Sequence, residues 1–118
     1  MSDEIHIESV RKQLFAKLIK EKVFWSYNMK DTTPSDISDE VLIALTYKYL
    51  DLQEIDLLKR VFSAKKLKDS WIKYLLPEGD YLYTLNRFLA WYCFDIKHPD
   101  SYLKAMTTRY HNKLINNA

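Results

Sequence analysis

A chain of 118 residues with 47% hydrophobic and 29% charged side chains carries enough apolar material for one core, which excludes a disordered chain. Its net charge of +2, from 18 Lys and Arg against 16 Asp and Glu, excludes a global field that would recruit nucleic acid. A single glycine, Gly79, and three prolines exclude glycine-dependent phosphate and dinucleotide loops and leave little tight-turn chemistry, so a helical chain is expected.

Between Ser2 and about Lys22 the apolar residues Ile7, Val10, Leu14 and Leu18 fall three or four apart, with Phe15 and Ile19 widening the stripe. That spacing predicts an amphipathic helix, with Asp3 and Glu4 at its positive end and Lys20 and Lys22 at its negative end. Phe24 and Trp25 then lead into a polar stretch, Ser26 to Ile37, broken by Pro34 and read as a loop. Ser38 has the place of an N-cap, followed by Asp39 and Glu40 in the first turn of a helix that turns Val41, Leu42, Leu45 and Tyr49 inward. Asp51 caps the next helix, through Ile55, Leu58, Val61 and Phe62, and Glu54 three residues on completes a capping-box spacing. Ser63 is a further cap, before a helix presenting Leu67, Trp71 and Leu75. Pro77, Glu78 and Gly79 make the clearest break.

The segment from Asp80 to Phe94 differs in kind. Tyr81, Leu82, Tyr83, Leu85, Phe88, Leu89, Trp91, Tyr92, Cys93 and Phe94 are spread round the whole helix, which predicts a buried apolar helix near 80–94. Pro99 suits the first turn of a last helix, whose inward face would be Tyr102, Leu103, Met106, Tyr110 and Leu114. No internal repeat or low-complexity tract is visible. The expected fold is all-α, a compact single-domain bundle of about six helices over residues 1–118.

The lone cysteine, Cys93, forms no internal disulfide and agrees with a reducing compartment. The acidic first residues lack the pattern of a secretory signal, and the longest apolar run, Leu89 to Phe94, falls far short of the roughly 20 residues that span a bilayer. A cytoplasmic protein without membrane association is expected.

Catalytic chemistry finds little support. His6, His98 and His111 have no paired spacing of the kind that holds zinc, and there is no second cysteine to help them. His98 with Asp95 and Asp100 is the one local cluster, and it straddles a helix start where aspartates serve as caps. Cys93 as a nucleophile would need a base or a helix N-terminus beside it, whereas Tyr92 and Phe94 flank it, the setting of an inert thiol. Asp36, Asp39 and Glu40 coincide with a helix start, where they complement the dipole. The expectation is a protein without cofactor or metal that is not an enzyme.

Two kinds of partner surface are open. Lys59, Arg60, Lys65, Lys66, Lys68 and Lys73 form the one basic concentration, either a solvated face or the phosphate-contacting part of a small DNA-binding helical regulator. For protein partners the candidates are Phe24, Trp25 and Tyr27 at the loop entry, and Arg87, which shares the apolar helix with Asn86. A buried guanidinium must be paired, so Arg87 is expected either to meet an internal carboxylate or to face a partner. Homodimerisation is a further possibility for a helical chain this rich in aromatics.

The order of motifs carries a resemblance. Phe24-Trp25, a polar gap, Asp39-Glu40-Val41-Leu42-Ile43, Leu58-Lys59-Arg60-Val61-Phe62, Lys66-Leu67-Lys68-Asp69-Ser70-Trp71, Thr84-Leu85-Asn86-Arg87-Phe88-Leu89 and the His98-Pro99-Asp100 turn follow one another. Over about 24–106 this resembles a family of small helical bacterial proteins, common in Bacteroidetes, encoded beside nucleotidyltransferase-like toxins of the abortive-infection type. The chain has Leu50 where the family often has glycine, and Phe62-Ser63 where it has a Tyr-Gly-like pair. The resemblance implies an antitoxin-like component of a toxin–antitoxin pair, acting by protein–protein interaction, with the toxin-like nucleotidyltransferase as partner.

Overall fold

The computed structural model describes residues 2–21 and 33–116, with side chains placed for 7–21, 33–109 and 112. The fold is all-α. Among the described residues six α-helices run in chain order: α1 Ser2–Lys20, α2 Asp39–Tyr49, α3 Leu52–Val61, α4 Ala64–Tyr74, α5 Tyr83–Tyr92 and α6 Pro99–Asn116. Short 3-10 helices cover Pro34–Asp36 and Leu76–Leu82, and there is no strand among the described residues. Contacts divide the chain into two compact units, Met1–Ser70 and Trp71–Ala118, with the division falling inside α4.

In the first unit α1 packs on α2 and α3, and α2 packs on α3. The stripe read from the sequence is the one that is buried: Val10, Leu14, Phe15 and Leu18 from α1, with Leu42, Ile43 and Tyr47 from α2 and Ile55 and Leu58 from α3. The three caps form as their residue types require. Ser38 Oγ accepts from Val41 N at 3.2 Å, Ser63 Oγ accepts from Lys66 N at 3.1 Å, and Asp51 N donates to Glu54 Oε1 at 3.0 Å. Ile19 and Tyr49, expected inward, are each 52% exposed. They stand in the last turns of α1 and α2, and Tyr49 lines an open polar cleft with Lys17 and Lys20.

Ion pairs tie these helices together. Arg11 bonds Asp39 at the start of α2, and its second amino group donates to the carbonyls of Pro34 at 2.6 Å and Ile37 at 2.7 Å. Lys66 reaches the other oxygen of Asp39 at 2.9 Å. Partial burial alone would raise the Asp39 carboxyl, but the hydrogen bond and charge of Lys66, joined by Arg11, hold it below the ordinary carboxylate range. Glu54, buried, takes Lys17 Nζ at 2.8 Å, and that bond keeps its carboxyl low against the opposing effect of burial.

The second unit is organised around Trp71, fully buried at the end of α4. Its ring stacks on Phe94 at 4.8 Å and Tyr102 at 5.9 Å between centroids. α5 and α6 pack on each other and on the Leu76–Leu82 segment, where Gly79 (φ 56°, ψ −126°) supplies a backbone conformation that side chains other than hydrogen resist. After α5 the left-handed residue is Asp95 (φ 52°), and Ile96 N closes on Ala90 O at 3.0 Å. Asp95 therefore shapes the exit from α5, while Pro99 opens α6 as its residue type favours.

The helix near 80–94 is not buried on all sides: Asn86, Leu89 and Ala90 are its buried residues, whereas Trp91 is 61% and Phe88 37% exposed. The helix begins at Tyr83, and the 3-10 segment before it leaves Tyr81 85% exposed. At 100° per residue Asn86, Leu89 and Ala90 form one stripe, and α6 and the 3-10 segment are the neighbours of α5 within this unit.

Candidate functional site

The opposite arc of α5 carries Thr84, Arg87, Phe88 and Trp91, the i, i+3, i+4, i+7 spacing that places four residues on one helix face. All four are exposed. Trp91 lies near the middle of that arc, with Arg87 on one side and Phe88 on the other. Solvent-facing helix positions ordinarily take Lys, Glu or Gln, so a tryptophan here is the feature that asks for an explanation. Phe88 stacks on the half-buried Tyr92 at 5.2 Å and meets Trp91 at 6.4 Å, which fixes the ring edges of the patch.

The start of α6 borders this face. Arg87 Nε stands 3.1 Å from Asp100 Oδ1, and the Tyr83 hydroxyl donates to the same oxygen. That hydrogen bond, aided by some burial and by the Asp100 charge, raises the Tyr83 hydroxyl above its ordinary value, with Arg87 acting against it. Pro99 completes a shallow cleft of about 420 Å³ with Thr84, Arg87, Phe88 and Trp91. A second cleft of about 380 Å³ lies between the Gly79 kink and α6, over Leu76, Tyr83 and Leu103.

The residues singled out from sequence are placed as follows. Arg87 is not internal: it is 61% exposed and paired at the surface, while its neighbour Asn86 is the buried polar residue. Helical spacing explains the difference, since Asn86 falls on the Leu89–Ala90 stripe and Arg87 is one 100° step round from Asn86. Phe24, Trp25 and Tyr27 lie outside the described residues. Phe88 and Trp91, core by their chemistry alone, are at the surface. The signal that could have placed them was Thr84 and Arg87, two polar residues sharing their arc.

The basic run is largely engaged with the protein itself. Lys65 pairs with Asp69 at 2.8 Å, one turn along α4, and Lys66 with Asp39. Lys66 also lies 5.8 Å from the centre of the Phe62 ring. Lys73 belongs to the second unit, 5.2 Å from the Tyr74 ring, while Lys59, Arg60 and Lys68 stand in the first. Lys59 and Arg60 are exposed at the end of α3, and Lys68 is half-buried.

Among the described residues no three His, Cys, Asp or Glu side chains are grouped as a metal site, and no helix is long and apolar enough to cross a membrane. Cys93 is half-buried in the turn after α5. The α5 arc offers flat aromatic surface, one guanidinium and the Thr84 hydroxyl, bordered by the Tyr83–Asp100 hydrogen bond. No protein-family model, curated protein or solved structure matches the chain.

Proposed function

We propose that this chain is a non-enzymatic protein-interaction module that docks a partner protein on the outward face of α5. The observation that carries the reading is Trp91, 61% exposed at the centre of a helix face and flanked by Phe88 and Arg87. Trp, Tyr and Arg dominate interface energetics, and covering the exposed part of one tryptophan is worth roughly 3 kcal/mol. Such surface is costly to leave in water and rewards whatever covers it.

In its finer form the module is the antitoxin-like component of a bacterial toxin–antitoxin pair, and its partner a nucleotidyltransferase-like toxin. That part rests on the motif resemblance between Phe24 and Met106. The mechanism is occlusion: the module covers the toxin's active site or holds it in an inactive complex.

Co-expression with the protein encoded beside it tests both forms. The expected result is a co-purifying complex and relief of growth arrest, with both lost in a Phe88→Ala, Trp91→Ala double variant that remains folded. Absence of a complex, or a complex indifferent to the double substitution, defeats the reading of this face.

A further inference from the structure

The outward arc of α5 is complementary to itself, and we infer that in the chain purified alone a second copy covers it, α5 packing antiparallel on α5. This rests on the reading of that arc as a docking face and goes further in naming its occupant. Along the arc the residues run Thr84, Arg87, Phe88, Trp91, the smallest at one end and the largest at the other. In an antiparallel pair with its two-fold axis between Arg87 and Phe88, Trp91 of each copy lies over Thr84 of the other, the largest side chain against the smallest. The same two-fold keeps each flank of the arc on its own side of the seam, so Phe88 meets Phe88 of the other copy on one flank and the Arg87–Asp100 pairs of the two copies meet on the other, where opposite charges alternate.

Charge agrees with this pairing. Each copy brings one Arg87 and one Asp100 to the seam, 3.1 Å apart and more than half exposed, so the two faces meet without net charge of either sign. A face bearing Arg87 without Asp100 would repel its own copy. Tyr83 donates to the same Asp100 oxygen and so helps to fix the carboxylate beside Arg87. Three turns of helix are about 16 Å, room for the two Trp–Thr layers and the Phe88 and Arg87 flanks between them. The contact is isologous and closes on a pair, so no higher assembly follows from it.

Sedimentation equilibrium of the full chain, free of any partner protein, tests the inference. A face this small gives a dissociation constant of about micromolar to 100 µM, so loading runs from about 5 to 500 µM. Wild type is expected to shift from monomer to dimer across that range. Trp91→Thr is expected to stay monomeric, and so is Thr84→Trp, where two tryptophans would collide in each outer layer. The double variant T84W/W91T restores the large-on-small pairing with the order reversed and is expected to dimerise again. Non-specific stickiness would instead make Thr84→Trp associate more strongly, which overturns the inference. A wild type that is monomeric throughout, or a double variant that is not rescued, overturns it equally. Arg87→Glu, expected to be monomeric, replaces Thr84→Trp if circular dichroism shows that variant unfolded. Capture of a neighbouring-gene protein through Trp91 is read separately, so failure here is distinguishable from failure of the docking face.

Discussion

The indole N–H of Trp71 donates to Asn86 Oδ1 at 3.1 Å, both side chains being buried, and Asn86 Nδ2 in turn donates to the Leu75 carbonyl at 3.3 Å. One amide thus satisfies the donor of the largest core side chain and a backbone carbonyl at the end of α4. Losing it strands both groups in the interior, and each stranded buried group costs on the order of 1–3 kcal/mol. Asn86→Ala is therefore expected to destabilise the chain by about 3 kcal/mol in urea unfolding. Arg87→Ala, one residue on, should change stability by no more than about 0.5 kcal/mol, because its pairing is at the surface.

Acid sensitivity follows from two carboxylates. Asp39, held low by Lys66 and Arg11 against its own partial burial, and Glu54, held low by Lys17, both bind protons more weakly folded than unfolded. Their contribution is fully present above the unfolded carboxylate range, near pH 4, and is lost as pH falls through their depressed folded values. Asp39→Asn should be less stable than wild type at pH 7, by about 1 kcal/mol after allowing for partial exposure. The gap should narrow toward pH 3 in urea titrations at each pH.

Gly79 and Asp95 occupy positive φ, and they should respond in opposite directions. Nothing lies within 4 Å of where a Gly79 Cβ would sit, so Gly79→Ala costs only through the backbone, about 1–2 kcal/mol by thermal unfolding. Asp95→Gly removes a side chain from the left-handed region and should leave the midpoint unchanged or raised.

Helix caps offer a calibration. Ser38→Ala and Ser63→Ala each remove an acceptor for a first-turn N–H and should each cost about 1 kcal/mol. Asp39, next to Ser38, and Lys66, whose N–H Ser63 caps, form an ion pair at 2.9 Å, so the double variant should depart from the sum of the two losses.

The helix starts at Ser38, Asp51, Ser63 and Pro99 were legible because cap chemistry is local and depends on residue type at fixed offsets. The inward stripe of α1 was legible for the same kind of reason, a periodicity that tolerates one reading. α5 was not, since apolar residues on every side say nothing about which side gains neighbours. That choice is made by packing against α6 and the 3-10 segment, and it puts Asn86 inside and Arg87 at the surface. The partners of Arg11, which spans from α1 to Asp39, Pro34 and Ile37, were equally hidden, because no local pattern joins residues so far apart in the chain.

Binding to the neighbouring-gene protein, immobilised and read by bio-layer interferometry, addresses the role of the α5 face most directly when wild type is compared with Trp91→Ala and an exposed α1 control, Lys12→Ala. A central interface tryptophan is worth about 2 kcal/mol or more, so Trp91→Ala should weaken binding by roughly 30-fold while Lys12→Ala matches wild type. Thermal midpoints of the three chains should agree within about 2 °C, since Trp91 is exposed. Wild-type affinity in the folded Trp91→Ala chain would contradict the account.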